Sequence, residues 1–277
     1  MFLTTLTMVA FAANSILCRM ALGQHLIDAA SFTGLRLTSG AAMLWVIVRL
    51  RPTSGTLARR DFVAAGMLFV YAAAFSFAYL SLTAGTGALI LFAAVQVTMV
   101  FAGWRAKEQF SVGTWAGLIL SIAGLVYLVL PGLSSPPLVA AALMALAGCG
   151  WGIYSLRSRG VADPLRITAG NFLGAVPPAL VLVLVFSQDR HATAEGVILA
   201  VVSGAFTSGL GYVMWYRALS GLTSTAAASV QLSVPVIAAF GGILFLNETM
   251  TMRLLAASAA ILGGIALVLR ARFAGRA

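Results

Sequence analysis

The side chains that could do chemistry in this sequence are few, and most sit inside long apolar runs: Asn14, Arg36, Tyr79, Gln96, Trp151, Tyr154, Tyr212 and Gln231. A polar group surrounded by hydrocarbon is costly unless it finds a partner. Each of these positions therefore has either a structural pairing or a ligand to explain it. Gln96 and Gln231 lie eight to ten residues into their runs, so each is an interhelical hydrogen bond or a polar contact for a bound solute. Tyr212 shares a helix face with Ser208 and Tyr216 and is expected to line a cavity. Interfacial anchoring is the plain structural reading of Tyr216 and Arg217, and Arg217 is expected to anchor the end of that run at the membrane surface. Tyr79 is an anchor or a gate at the end of its run. Trp151, Tyr154 and Ser155 make an aromatic-polar cluster of the kind a small-molecule site needs, and core packing explains their rings equally well. Asn14 and Ser15 are the counterpart in the first run. Arg36 is the one cation well inside a run. It binds a substrate carboxylate, snorkels, or pairs with Asp28 as a structural group. Arg19 is expected to snorkel.

The acids are placed differently. All seven (Asp28, Asp61, Glu108, Asp163, Asp189, Glu195 and Glu248) fall in links or at run ends, as do His25 and His191. No carboxylate or histidine stands mid-run, where proton relays normally place one. No His-Glu-x-x-His, paired aspartates or Ser-His-Asp set is present. An intramembrane lipid-modifying enzyme is thus left without a catalytic set, and no metal or cofactor is expected. Glu108 and Glu248 are read as groups that cap or orient helix ends. Cys18 and Cys149 lie in apolar segments, a poor context for a disulfide or a thiolate metal site.

The elements that position these residues follow from composition. The chain is 61% hydrophobic and 9% charged, with a mean hydropathy of +1.02, against about 25% charged in soluble domains. The run lengths approach the ~20 residues that cross a bilayer. Ten spans are predicted, at 2–21, 29–49, 62–81, 86–103, 111–130, 137–156, 166–186, 196–217, 223–246 and 251–270. The first has no basic segment before it and is read as a span, not a signal peptide. The net charge of +10 lies between the runs, so it sets topology and does not bind nucleic acid. With the N-terminus in the cytoplasm, thirteen Arg or Lys residues fall on the inner side and two, Arg190 and Arg253, on the outer. Both termini are then cytoplasmic.

The chain also repeats itself. Tyr79 to Glu108 and Tyr216 to Glu248 carry Tyr, Leu, a short link, Val-Gln and a closing Glu in one order. Arg36 parallels Asn171, and the Asn14 segment parallels Trp151–Ser155. A cut near residue 133 leaves five spans on each side, giving halves 1–133 and 134–277. An odd number of spans inverts the second half, the architecture of many secondary transporters, with a site near the midplane.

Trp151-Gly152, the Gly211-Tyr212…Trp215-Tyr216…Ala218-Leu219 block, the Pro235 segment and the Glu108 and Glu248 closing motifs together resemble the drug/metabolite transporter superfamily in its EamA branch. Within it the chain looks most like the YddG-type amino-acid exporters. Phe11-Ala12 stands where that branch has a Trp-Gly pair, and the first half lacks a counterpart of Pro235. The resemblance implies an all-α integral membrane protein with ten helices around a central cavity. It also implies export of small metabolites, amino acids in particular, from the bacterial inner membrane. The expected partners are a small-molecule substrate and the lipid bilayer, and the expected state is a monomer.

Overall fold

A computed structural model of the chain describes residues 2–50, 61–105, 107, 110–130, 132, 135–157, 163–219, 230, 231 and 233–274, with side chains to Ala271. These residues form helices and short links. The helices are α1 (Phe2–Gly23), α2 (Ala29–Leu50), α3 (Phe62–Tyr79), α4 (Ala84–Arg105), α5 (Val112–Val129), α6 (Leu138–Arg157) and α7 (Pro164–Val185). Then come α8 (Ala194–Val202), a π-helical segment (Ser203–Leu210) and α9 (Gly211–Leu219), which follow one another as one continuous span. α10 (Ser233–Leu246) and α11 (Met252–Ala274) close the chain. Among the described residues nine helices are long and apolar enough to cross a membrane, and α10 is the shorter apolar one. The predicted ninth span, 223–246, falls partly outside the described residues, as do Glu108 and the Ser220–Thr223 link.

The helices keep large apolar side chains on the outside, which a lipid solvent requires and water would not tolerate. Ile119, Ile122 and Val126 of α5, Val181, Leu184 and Val185 of α7, and Val236, Phe240, Leu244 and Phe245 of α10 are all exposed. Small residues let helices approach inside. Gly117 of α5 faces Gly264 and Val268 of α11, Gly124 faces Ala260 and Ile261, and Gly113 faces Ala271. α5 and α11 thereby form a tight pair. Gly263 does not share in this, because a Cβ there would meet nothing.

The remaining helices surround the centre. α3 and α4 pack on α6, α2 on α7 and the π segment, and α1 on α8, the π segment, α9 and α10. Short polar caps start several helices: Asp61 for α3, Ser111 for α5, Asp163 for α7 and Thr193 for α8.

One end of the bundle is tied together across the sequence. The Ile27 and Ala192 backbones form an isolated bridge, and Asp28 N donates to the His191 carbonyl at 3.0 Å. The Arg253 guanidinium donates to the Leu130 carbonyl. Asn247 (φ +52°) turns the chain after α10, a left-handed position that Asn tolerates. The Glu248 N–H then reaches the Gly242 carbonyl at 3.1 Å. Its carboxylate lands on the N-terminus of α4, accepting from Ala84 N at 2.9 and 3.0 Å. Glu248 therefore does cap a helix, but one distant in sequence. Arg19 reaches the same end of the bundle, partly exposed. It donates to the Tyr79 and Leu80 carbonyls at 3.0 and 3.1 Å and pairs with Glu248 at 3.4 Å. This latch joins α1, α3, α4 and α10. At the opposite end Arg157 of α6 pairs with Asp61 at 2.7 Å.

Candidate functional site

The central polar cluster is built where α1, α2 and α3 meet the π segment. Gly40 of α2 faces Phe172 and the Gly204 carbonyl, and a Cβ at Gly204 would collide with the Arg36 carbonyl and Ser39. Two glycines thus let α2 run against the π segment at backbone distance. The π turns bring residues four and five apart onto one face, and Ser203, Thr207 and Ser208 use it. Ser203 Oγ donates to Asn14 Oδ1 at 2.7 Å, and Thr207 Oγ1 shares its proton between the Ser203 carbonyl at 2.8 Å and Asn14 Oδ1 at 3.2 Å. Ser208 Oγ accepts from Arg36 Nε at 3.1 Å. Tyr71 is the hub from α3, since its hydroxyl accepts from Arg36 Nη2 at 3.0 Å and from Asn14 Nδ2 at 3.3 Å. These residues come from the middle of their helices, so at 1.5 Å per residue the cluster stands near mid-membrane.

Arg36 decides the electrostatics. Its side chain is 1% exposed, and its guanidinium lies over the Phe75 and Tyr71 rings at 4.9 and 5.1 Å. The expected alternative partner, Asp28, is engaged elsewhere: it accepts from Ser31 N at 2.8 Å and from His191 N at 3.2 Å. Asp28 thus ties the start of α2 to the link between α7 and α8 and leaves Arg36 to itself. The ionisable groups beside Arg36 are Tyr71, Tyr212 and Cys18, none anionic at neutral pH in its usual state. Among the described residues no carboxylate pairs with it, and its Nη1 has no hydrogen-bond partner.

Rings close over the cluster. Trp151 lies 4.7 Å from Tyr212, 5.2 Å from Tyr71, 5.6 Å from Tyr154 and 5.7 Å from Phe11. Phe172 and Trp215 complete the box through Tyr212 and Phe11. The structure therefore brings together five of the residues singled out in the sequence: Asn14, Arg36, Trp151, Tyr154 and Tyr212. Tyr79 stands one ring away, 4.7 Å from Phe75, with its hydroxyl donating to the Ala84 carbonyl at 3.2 Å, so it belongs to the latch. Gln96 is half-buried on α4, and Gln231 is buried just before α10. Tyr216 is buried and Arg217 is exposed, both in the last turn of α9.

Sequence reading missed Tyr71, Ser203 and Thr207, and named Ser208 only as sharing a helix face with Tyr212. Tyr71 had no counterpart in the repeat to mark it. The Ser-Gly…Thr-Ser-Gly run of 203–209 was the available signal, since small polar residues inside a span favour close approach and irregular turns.

Residues 138–270 match the EamA-like transporter family. An uncharacterized protein of Pseudomonas aeruginosa is 53% identical over 277 residues, all of this chain and 96% of its own. The uncharacterized transporter YoaV of Bacillus subtilis is 23% identical, with 89% of each chain covered. An uncharacterized transporter of Archaeoglobus fulgidus is 28% identical, again with 89% of each chain covered. Among solved proteins, one crystal structure shares the fold with a TM-score of 0.66 at 19% identity, covering 95% of this chain and 97% of that one. The apolar helices, the polar centre and these relatives lead to one assignment: the chain belongs to the EamA-like transporter family and is a multi-pass membrane transporter of the drug/metabolite type.

Proposed function

We propose that this protein exports small carboxylate-bearing metabolites across the bacterial inner membrane by alternating access. Amino acids, aromatic and other neutral ones, are the first substrates to test, and other metabolites or drugs are the second class. The observation that carries the reading is Arg36, a buried mid-span guanidinium with a free Nη1 and no carboxylate partner among the described residues. Intramembrane charges of this kind mark substrate paths. Arg36 receives the carboxylate, Asn14 and Tyr71 hold it in place, and Trp151, Tyr154 and Tyr212 contact the rest of the solute. Gln96 and Gln231 border the route on α4 and ahead of α10. Tyr79 serves as a gate within the latch.

Helix packing supports ten spans in two inverted halves, 1–133 and 134–277. The contact of α3 with α6 recurs as the contact of α8, the π segment and α9 with α1. The contact of α4 with α6 recurs as that of α10 with α1, and α2–α7, α4–α10 and α5–α11 each pair corresponding helices. Charge supports both termini in the cytoplasm: Arg49, Arg105, Lys107, Arg157, Arg166, Arg217 and Arg270 share the end opposite the latch. The working unit is a monomer that needs no cofactor or metal.

The test is amino-acid flux in proteoliposomes, with and without an imposed pH gradient. Wild type is expected to carry substrate, with flux unaffected by the gradient. Asn14→Ala and Arg36→Gln are expected to abolish flux while the proteins still purify as folded monomers. Unchanged flux in a Gln96→Ala, Gln231→Ala double variant would remove those two from the site. An absence of flux for every carboxylate tried would end the reading.

A further inference from the structure

Charge balance at the centre separates the candidate substrates, and this step rests on the transporter reading above. Arg36 carries one positive charge into a site whose other members, Asn14, Tyr71, Ser203, Thr207, Ser208 and the ring box, are neutral. The acids among the described residues are all committed or remote. Asp28 caps α2, Asp61 and Asp163 pair with Arg157 and Arg166, and Glu248 sits in the latch. Asp189 and Glu195 lie in the link before α8 and in its first turn. A zwitterion bound here satisfies Arg36 with its carboxylate but adds an ammonium, so the buried site still carries one positive charge. A monocarboxylate brings the site to zero.

The donors and acceptors point the same way. Arg36 Nη1 and, on α7, Asn171 Nδ2 are buried N–H groups without a partner. Two of the acceptors an ammonium could use are taken: Asn14 Oδ1 accepts from Ser203 Oγ and lies beside the Thr207 hydroxyl, and the Tyr71 oxygen takes two N–H groups, while the Tyr212 hydroxyl is buried without a partner. The unpartnered groups of the cluster are thus a guanidinium N–H, which suits a carboxylate, and one phenol hydroxyl, which donates to a carboxylate as readily as it accepts from an ammonium. Ring faces could attract a cation, yet the Tyr71 and Phe75 faces already hold Arg36. The Trp151, Tyr154, Tyr212 and Phe11 box offers apolar surface next to the guanidinium. We infer that the site selects aromatic monocarboxylates, net charge −1, over amino acids bearing the same side chain, with Arg36 Nη1 receiving the carboxylate.

Three probes with one ring and one chain length test this: 3-phenylpropionate (−1), phenylalanine (0) and 2-phenylethylamine (+1). Binding is read by tryptophan fluorescence in lipid nanodiscs. The exposed Trp45, Trp104 and Trp115 are replaced by Phe, leaving Trp151 and Trp215 to report from the ring box. The acid is expected to bind at least about tenfold more tightly than phenylalanine, and the amine least, because an uncompensated buried ammonium is costly. Arg36→Lys is expected to keep this order. Arg36→Gln is expected to weaken the acid by about 100-fold or more while leaving the amine no weaker, a reversal that general misfolding would not produce. Phenylalanine binding as tightly as the acid overturns the inference and leaves a carboxylate transporter standing. An unchanged order in Arg36→Gln overturns it too. If none of the three probes binds, the carboxylate reading falls with it.

Discussion

Glu248 offers a test in which charge and hydrogen bonding separate. Replacing it by Ala removes the acceptor that caps α4 from across the bundle and strips Arg19 of its ion pair. A lost N-terminal cap costs about 1 kcal/mol, and a partly exposed ion pair is worth up to about 1 kcal/mol. Glu248→Ala should therefore lose about 2 kcal/mol of stability. Arg19 keeps the Tyr79 and Leu80 carbonyls, which limits the damage. Glu248→Gln retains an oxygen for Ala84 N and loses only the charge. Burial pushes the Glu248 carboxyl above its usual range, against the opposing pull of the Ala84 N–H and Arg19. The folded protein thus holds this proton at a pH where the unfolded chain has released it. The folded state is favoured while the group is protonated, and its stability falls as pH rises from the ordinary glutamate value through the raised one. Glu248→Gln should therefore lie within about 0.5 kcal/mol of wild type near neutrality and flatten this pH dependence. Unfolding of the detergent-solubilised protein by added SDS, followed at pH 4 to 8, measures both effects. Equal destabilisation by Gln and Ala, or stability that rises with pH in wild type but not in Glu248→Gln, would refute the reasoning.

Other positions make separate claims. Asp61 behaves oppositely to Glu248: the Arg157 hydrogen bond holds its carboxyl below the usual range, so its contribution is present above that range and fades as pH falls through the lowered value. Asp61→Asn should cost no more than about 1 kcal/mol by the same SDS assay, because the pair is largely exposed. Tyr71→Phe leaves the Arg36 Nη2 and Asn14 Nδ2 donors buried without their partner and should cost about 2–4 kcal/mol. Carboxylate ligand should bind that variant more weakly in the fluorescence titration. Gly204→Ala drives a methyl into the α2 backbone and should lower both stability and flux, whereas Gly263→Ala meets nothing and should leave both unchanged.

The sequence pattern made some of this legible and hid the rest for physical reasons. Apolar length and charge placement located the spans, because hydrocarbon punishes exposed backbone and exposed charge at every position. Asn14, Arg36 and Tyr212 were legible as members of one central cluster because they are conspicuous against apolar neighbours. The pairing of Arg36 was not, since Asp28 lies two turns away on the same helix start and only the fold shows it capping that helix and contacting His191. Tyr71 looked like another aromatic in an apolar helix until α1 and α2 placed two donors on its hydroxyl. Arg19 and Glu248 were judged singly, while their meeting depends on a turn at Asn247 that local sequence does not announce.

The unneutralised guanidinium of Arg36 has an electrical consequence. In alternating access the central site shares the potential of whichever aqueous phase it faces. An empty site carrying one positive charge is favoured facing the negative phase by up to about 2.3 kcal/mol per 100 mV. In an energised cell that phase is the cytoplasm, so on the proposed export cycle the membrane voltage would hold the empty carrier ready to load from within. A monocarboxylate bound as proposed would cancel the charge and the bias with it, and the loaded carrier would turn without electrical cost. Release outside would restore the charge, and the field would draw the empty site back. One buried cation would thus rectify an otherwise symmetric machine.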